Sequence, residues 1–128
     1  MVINSSAVVA ILEEERGSEE LLRQLVEAGV RRISAATLFE TAIVLESKSG
    51  EAAGDQLDLF LARGGIVVED VTAEQIQIAR KAWWKLGKGS GHPAGLSYGD
   101  CFSYALAKAV GEELLFKGGD FGKTDVNR

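Results

Sequence analysis

Residues 1–7, MVINSSA, join a predicted β-strand to a predicted helix with no loop between them, and this junction indicates the fold class. Val2 and Ile3 form a β-branched apolar pair that is typical of a buried strand. Ser5 and Ser6 are both plausible N-caps, so we expect a helix to begin there and to run to Glu14. Strands that alternate with helices are typical of α/β folds.

The same alternation continues along the whole chain. After Met1–Asn4, further strands are predicted at Val30–Ser34, Ile66–Glu69 and Glu113–Phe116. Further helices are predicted at Ser18–Ala28, Ala35–Ser47, Glu51–Arg63, from Thr72 to Leu86, and at Tyr98–Val110. We therefore expect a three-layer α/β sandwich with a central parallel sheet of four or five strands flanked by helices, because strands separated by helices pair in parallel.

Two details of this prediction concern single elements. In the helix after Thr72, which with Gln75 forms a predicted capping-box pair, one face is predicted to point inward. That face consists of Ile76, Ala79, Trp83 and Leu86. The fifth strand, if present, is a short edge strand around Val126.

The composition is that of a soluble globular protein, and its 128 residues are expected to form one domain, residues 1–128. No apolar run is long enough to span a membrane, and the first residues lack the basic region of a signal peptide. Cys101 is the only cysteine, which excludes an internal disulfide and favours a cytoplasmic location. The net charge of −5 argues against a generally basic surface, but it permits a local basic groove.

Two polar residues stand where an α/β fold places its ligand crevice, outside the carboxyl ends of the strands, and two more candidate acids lie on helices. Asn4 and Asp120 each follow a predicted strand, Glu40 lies on an apolar helix face, and Asp100 begins a helix. Each acid also has a structural explanation. Asp100 could be a helix N-cap, Asp120 a turn residue, and Glu40 one half of an ion pair with an arginine.

Carboxylates that converge repel one another, so they need a counter-cation or a proton. Mg²⁺ or Mn²⁺ fits this requirement, since hard cations prefer oxygen ligands, and no cysteine or histidine cluster favours zinc. Such an ion lowers the pKa of a bound water and stabilises charge on a phosphate under attack. The pattern therefore favours a nuclease.

Four segments carry a resemblance to a known family: VINSSA at residues 2–7, SAATLFE at residues 34–40, LSYGDCF at residues 96–102 and LLFKGGDF at residues 114–121. With these segments the chain resembles, over almost its full length, the PIN-domain proteins of the VapC type, which are toxins of bacterial toxin–antitoxin pairs. The resemblance implies a ribonuclease that uses Mg²⁺ or Mn²⁺ bound by a quartet of acids. It also implies a homodimer, inhibited by a cognate antitoxin that commonly inserts a basic segment into the acidic site.

Glu40, Asp100 and Asp120 match three acids of that quartet, and Ser6 matches the small hydroxyl residue that follows the first acid. By this resemblance residue 4, Asp100 and Asp120 hold the metal, while Glu40 completes the site and helps to activate water. The departure is Asn4, which stands where the family has aspartate. An amide keeps the shape of the carboxylate but loses its charge, so we expect weakened metal binding and strongly reduced cleavage.

Two other functional classes remain open. The chain could be a PIN-fold module that binds RNA or an antitoxin without cutting, because of Asn4. It could also be an interaction protein whose acidic crevice docks an arginine-rich peptide.

One predicted surface suits single-stranded RNA. Lys81, Trp84, Lys85 and Lys88 share a helix face by their spacing, with Arg80 alongside, and this combines phosphate contacts with base stacking. The alternative is a solvated charged face on which Trp84 packs at a dimer contact.

Three other features are interpreted as non-functional. Residues 117–124 (KGGDFGKT) imitate a phosphate-binding loop but lack the first glycine and the helix behind it. The single histidine, His92, is predicted to be an exposed loop residue, and Cys101 a small buried filler beside Asp100.

Overall fold

Four β-strands and six α-helices alternate in the predicted order in the computed structural model, which describes residues 1–119 and 121–126. The strands are β1 (Val2–Ile3), β2 (Arg32–Ser34), β3 (Val67–Glu69) and β4 (Leu114–Leu115). The helices are α1 (Ser5–Leu12), α2 (Ser18–Glu27), α3 (Ala35–Ser49), α4 (Glu51–Arg63), α5 (Ala73–Leu86) and α6 (Tyr98–Val110), and a 3₁₀ turn covers Phe121–Lys123. None of the helices in the described part of the chain has the length and apolarity to cross a membrane.

The four strands form one parallel sheet in the order β3-β2-β1-β4. The chain therefore builds the sheet outward from β1 to β3 and then returns to add β4 on the other side of β1. The direction of strand order reverses between β1 and β4. In open α/β sheets this switch point is where a ligand crevice forms, at the carboxyl ends of the strands.

Side chains that alternate along the strands place one core on each face of the sheet. Val2 and Leu114 point to the face covered by α5 and α6, where they pack in a cluster with Leu106. Ile3 and Leu115 point to the opposite face and pack with side chains of α1, α2, α3 and α4. The two cores confirm the predicted three-layer α/β sandwich.

Some boundaries and orientations differ from the predictions. Neither Ser5 nor Ser6 is an N-cap, because α1 begins at Ser5 and Asn4 occupies the N-cap position without a side-chain capping bond. Val126 is buried but joins no strand, so the sheet has four strands within residues 1–119 and 121–126. The Thr72 side chain does cap α5, whereas the Gln75 side chain donates to the Asp70 carbonyl and does not complete a capping box.

The predicted inward face of α5 is partly wrong. Ala79 and Leu86 pack against the core, but Ile76 and Trp83 are exposed, and Ala82 is buried instead. The core-facing stripe of α5 is therefore rotated from the predicted one and includes Ile78, Ala79, Ala82 and Leu86. Apolar periodicity alone cannot separate a core-facing stripe from a second, exposed apolar stripe.

The loop before α6 gives a further correction. His92 is half-buried, and its Nδ1 accepts a hydrogen bond from the Ala94 backbone N–H at 3.0 Å. Its role in the loop is therefore to satisfy a backbone donor.

Candidate metal centre

Asn4 lies at the switch point, directly after β1, with 2% of its surface exposed. Its Oδ1 accepts a hydrogen bond from Ser103 Oγ at 2.8 Å, and its Nδ2 donates to Ser6 Oγ at 2.8 Å. The backbone N–H of Lys117, just after β4, also donates to Ser6 Oγ at 3.0 Å. The first predicted site position and its predicted supporting residue, Ser6, are thus connected and lie between β1, β4 and α6.

A second hydroxyl extends this chain of hydrogen bonds into α3. Thr37 Oγ1 lies 3.0 Å from Ser103 Oγ, and both atoms are buried. Since the Ser103 proton is directed at Asn4, Thr37 must be the donor to Ser103. The hydrogen bonds from Thr37 to Ser103 and from Ser103 to Asn4 therefore fix α3 and α6 relative to the end of β1.

Glu40 and Asp100 lie one helical turn farther along these two helices. Thr37 on α3 faces Ser103 on α6. Three residues later on α3, Glu40 faces Gly99, which lies earlier on α6, in its first turn. The two helices therefore run antiparallel where they meet. Burial raises the pKa of the Glu40 carboxyl, a hydrogen bond from Ser5 opposes this, and the nearby charge of Asp100 raises the pKa further. The Asp100 carboxylate therefore lies close enough for its charge to act on Glu40.

The Glu40 carboxylate is incompletely satisfied. Its Oε1 is buried and has no hydrogen-bond partner within the described residues. The alternative of a structural ion pair is wrong for the part of the chain that the structure covers, since no arginine there pairs with Glu40. A buried, unpartnered carboxylate oxygen costs free energy unless a proton or a cation compensates it.

Asp100 is part of a capping box rather than the N-cap itself. Ser97 is the N-cap of α6: its Oγ accepts from the Asp100 N–H at 3.2 Å, and Asp100 Oδ2 accepts from the Ser97 N–H at 3.1 Å. The capping box fixes the rotamer of Asp100 through one carboxylate oxygen and leaves Oδ1 outside the box.

The prediction for Asp120 lies outside the described residues. The chain before and after it is attached to the rest of the molecule. The Phe116 and Phe121 rings pack at a centroid distance of 5.3 Å, and the Tyr104 hydroxyl donates to Asp125 Oδ1 at 2.6 Å.

The described donor set fits a hard divalent cation. It consists of the carboxylates of Glu40 and Asp100 and the amide oxygen of Asn4, and oxygen ligands are those that Mg²⁺ and Mn²⁺ prefer. Among residues 1–119 and 121–126, no three His, Cys, Asp or Glu side chains come together. Asn4 thus leaves this part of the site with two carboxylates, one charge fewer than an aspartate at position 4 would give.

The predicted RNA-binding residues border a cavity of about 840 Å³ between α5 and α6. Arg80, Lys81, Trp84 and Lys85 line it together with Tyr98 and Phe102. Lys88 does not continue the helix face as predicted, because α5 ends at Leu86 and the Lys88 N–H donates to the Leu96 carbonyl.

The charges along this part of the chain are all of one sign. Residues 75–99 contain four cations and no aspartate or glutamate. Those four cations form no salt bridge with any residue that the structure describes. This part of the chain is therefore basic, although the chain is acidic overall.

Sequence reasoning missed four residues that shape the site: Ser5, Thr37, Gly99 and Ser103. The signal for two of them was available, because Thr37 and Ser103 are polar residues one turn away from a candidate acid on largely apolar helix faces. The interpretation of Cys101 as buried filler is confirmed. Burial and the charge of Asp100 raise the pKa of its thiol to about 11, which disfavours a nucleophilic thiolate.

Comparison with known proteins agrees with the resemblance of the four segments. The PIN domain family model matches residues 1–127. Ribonuclease VapC of Mycolicibacterium smegmatis is 52% identical over 126 residues, with 98% of this chain and 97% of the relative covered. Ribonuclease VapC28 of Mycobacterium tuberculosis is 46% identical over 128 residues, with 100% and 96% covered.

A solved structure supports the fold. The crystal structure of Mycobacterium tuberculosis VapC20, described as a Sarcin-Ricin loop cleaving toxin, matches with a TM-score of 0.75 at 21% identity, over 98% of this chain and 95% of that one. With the switch-point site, the family model and these relatives in agreement, the chain belongs to the PIN-domain family and, within it, to the VapC type.

Proposed function

We propose that this chain is a VapC-type endoribonuclease toxin that cuts RNA with Mg²⁺ or Mn²⁺, with activity weakened by Asn4. The observation that carries the proposal is the buried, unpartnered Oε1 of Glu40, which lies beside Asp100 at the switch point of the sheet. The names of the relatives, which are ribonucleases, support the choice of reaction. The third acid of the proposed site is Asp120.

The side chains divide the chemistry between them. A bound divalent cation supplies charge neutralisation at the phosphate and a lowered pKa for an attacking water. Asp100, fixed by its capping box, offers Oδ1 as a ligand, and Asn4 offers Oδ1 as a neutral ligand while Ser103 holds it in place. Glu40 has a raised pKa, so it accepts a proton more readily than an exposed glutamate and suits the role of general base.

Asn4 weakens this site without disturbing its packing. Both polar atoms of its amide have hydrogen-bond partners, so the residue is structurally satisfied but contributes no charge to the metal. The same observation favours a second candidate function, that of a PIN-fold module that binds RNA or an antitoxin without cutting.

Restoring the acid separates these two functions. Asn4→Asp is expected to increase RNA cleavage by roughly 10- to 100-fold in Mg²⁺ or Mn²⁺, the range typical of groups that tune a metal site. The gain should disappear in EDTA, and Asn4→Ala, the control for loss of the amide alone, should give no gain. If Asn4→Asp cleaves no better than the original chain in either metal, the binding-module function is the better one.

We place the substrate on the basic surface beside Asp100. Arg80, Lys81, Lys85 and Lys88 would contact phosphates, and Trp84, which is 81% exposed, would stack on an unpaired base. Lys85→Glu should therefore weaken RNA binding and reduce the salt dependence of the association constant, by a slope of about 0.7 for each phosphate that is no longer neutralised.

The matched control is Arg63→Glu, which makes the same reversal of charge. Arg63 is the last residue of α4 and precedes β3, and β3 is the edge of the sheet opposite to the metal centre. It should leave RNA affinity nearly unchanged. Equal losses for the two variants would indicate a general charge effect and would remove the case for a groove on α5.

The proposal extends to partners and location. Exposed apolar side chains on α3, α5 and α6 suit a homodimer contact, and α3 and α5 both pack against α6. These side chains include Phe39, Ile43 and Tyr98, with Trp84 at the dimer contact as the alternative to its RNA role. The acidic centre suits a basic segment of a cognate antitoxin. A protein of this composition with one buried cysteine suits the reducing cytoplasm.

A further inference from the structure

Gly99 faces the Glu40 carboxylate on the first turn of α6. A Cβ atom built at residue 99 would lie closer than 3.0 Å to Oε1, Oε2 and Cδ of Glu40. The carboxylate therefore occupies the space that any other side chain at position 99 would take.

The backbone gives no reason for a glycine here. Gly99 lies inside α6 with an ordinary helical conformation, unlike the glycines at helix ends that have positive φ values, such as Gly111. Glycine is a poorer helix former than alanine, so α6 would be more stable with alanine if the contact with Glu40 did not matter. The position of the glycine is thus explained by the neighbouring carboxylate and not by the turn of the chain.

We propose that Gly99 is a positioning residue. Because it has no side chain, it leaves a space, the seat, that the Glu40 carboxylate occupies beside Asp100. This inference rests on the proposed function for its consequence, but the seat itself is a property of the packing between α3 and α6. Glu40 has one unpartnered oxygen and a flexible stem, and its hydrogen bond from Ser5 opposes its displacement once the seat is filled.

Filling the seat should separate stability from function. In Gly99→Ala the new methyl group meets only the far end of a flexible side chain, which can rotate toward solvent, so the fold survives. The melting temperature should stay level or rise by roughly 2–4 °C, as expected for glycine to alanine within a helix. Glu40 would then no longer lie beside Asp100, and the site would lose one of its acids.

The chain contains a matched control for this substitution. Gly54 lies inside α4, and a Cβ built there would lie closer than 3.0 Å to Oε2 of Glu46, another carboxylate on α3. Gly54→Ala therefore fills the same kind of space under the same kind of side chain, but Glu46 is exposed and belongs to no proposed site. Its melting temperature should change as that of Gly99→Ala does.

A thermal double-mutant cycle in EDTA tests the seat without any metal. Removal of the carboxylate by Glu40→Ala should make the effect of Gly99→Ala more stabilising than it is in the original chain, because the displacement no longer has to occur. If Gly99→Ala has the same effect on melting temperature in both backgrounds, the two residues do not compete for the same space, and the seat is disproved.

Calorimetric titration with Mn²⁺ tests the consequence, in the original chain and in Asn4→Asp. Gly99→Ala should lower the Mn²⁺ affinity by 10- to 100-fold, the usual loss when an outer partner of a metal site is displaced. Gly54→Ala should leave the affinity unchanged, and Gly99→Ala should add nothing in the Glu40→Ala background.

The outcomes distinguish the two proposals. Unchanged Mn²⁺ affinity in Gly99→Ala, in a background that does bind Mn²⁺, overturns the positioning role while the proposed function stands. If Asn4→Asp itself binds no Mn²⁺, the proposed function fails, and the thermal cycle alone decides whether the seat exists.

Discussion

Asn4 is an uncharged residue with both amide atoms hydrogen-bonded at the first position of the proposed metal site. Ser103 directs its proton at Oδ1, and the Ser6 hydroxyl accepts from Nδ2. If residue 4 were an aspartate, the Ser6 hydroxyl could rotate and donate to the second carboxylate oxygen while still accepting from the Lys117 N–H. Two donors would then stabilise the ionised form, which is the form that binds a metal.

The raised pKa of Glu40 predicts how the stability of the fold depends on pH. Its pKa is raised in the folded protein, so the folded protein holds this proton to higher pH than the unfolded chain does. Its contribution to stability is fully present below the ordinary pKa of 4.5 and is lost as the pH rises through the raised value. In EDTA, Glu40→Gln should therefore stabilise the protein at pH 7 and have little effect below about pH 4.5.

The measurement is urea unfolding at the two pH values, and Glu46→Gln, an exposed position on the same helix, is the control. The control corrects for the replacement of a glutamate by glutamine at a position outside the proposed site. A Glu40→Gln protein that is less stable than the original chain at pH 7 would mean that the carboxylate is already compensated in the folded state.

At the scale of elements, the site depends on how the helices end and on what holds them there. Arg31, just before β2, donates from Nε to the Leu25 carbonyl at 2.7 Å, from Nη2 to the Val26 carbonyl at 2.8 Å and from Nη1 to the Gly64 carbonyl at 2.7 Å. It thus satisfies carbonyls at the C-terminal ends of both α2 and α4, where helices leave acceptors unpaired.

Arg31→Lys should destabilise the fold by about 1–3 kcal/mol, because one ammonium group cannot reach three carbonyls that a planar guanidinium reaches together. Chemical unfolding monitored by circular dichroism measures this loss. Arg16→Lys, at an exposed arginine between α1 and α2, should change stability by less than about 0.5 kcal/mol. Equal effects at the two positions would show that the three hydrogen bonds contribute little.

The elements were largely predictable from the sequence, and the exceptions have physical causes. Runs such as Val2–Ile3 carry strong local signals, so the element order was correct. The orientation of α5 was not predictable, because Ile76 and Trp83 form an apolar stripe that periodicity cannot assign to a core or to an interface. The N-cap of α1 was wrong because the switch-point site uses Asn4 and Ser6 for other hydrogen bonds.

At the scale of the whole molecule, the sequence predicts which strand ends meet but not how the helices beside them pack. Parallel strands bring Asn4 and the end of β4 to one edge, which topology alone implies. The register between α3 and α6 decides that Glu40 meets Gly99 and that Thr37 meets Ser103. Such contacts between helices distant in sequence depend on side-chain packing that no local pattern encodes.

The exposed apolar surface leads to a prediction about homodimer formation. If α3, α5 and α6 form the homodimer contact, Trp84→Ala should shift the protein toward monomer in light scattering at micromolar concentration, because exposed aromatics contribute strongly at interfaces. Val26→Ala, at another exposed apolar residue on α2, is the control and should leave the mass unchanged. A Trp84→Ala protein with unaltered mass and weakened RNA binding would assign Trp84 to the RNA surface instead.

The central claim is that residue 4, Glu40 and Asp100 converge on one divalent ion. The most direct test is a crystal structure of the Asn4→Asp protein soaked in Mn²⁺, with the ion located by its anomalous signal. We predict one Mn²⁺ about 2.1 Å from a carboxylate oxygen of residue 4 and from Asp100 Oδ1, with the Glu40 carboxylate facing the same ion. A map with no ion at the switch point, or with Glu40 and Asp100 directed into separate surroundings, would contradict the account.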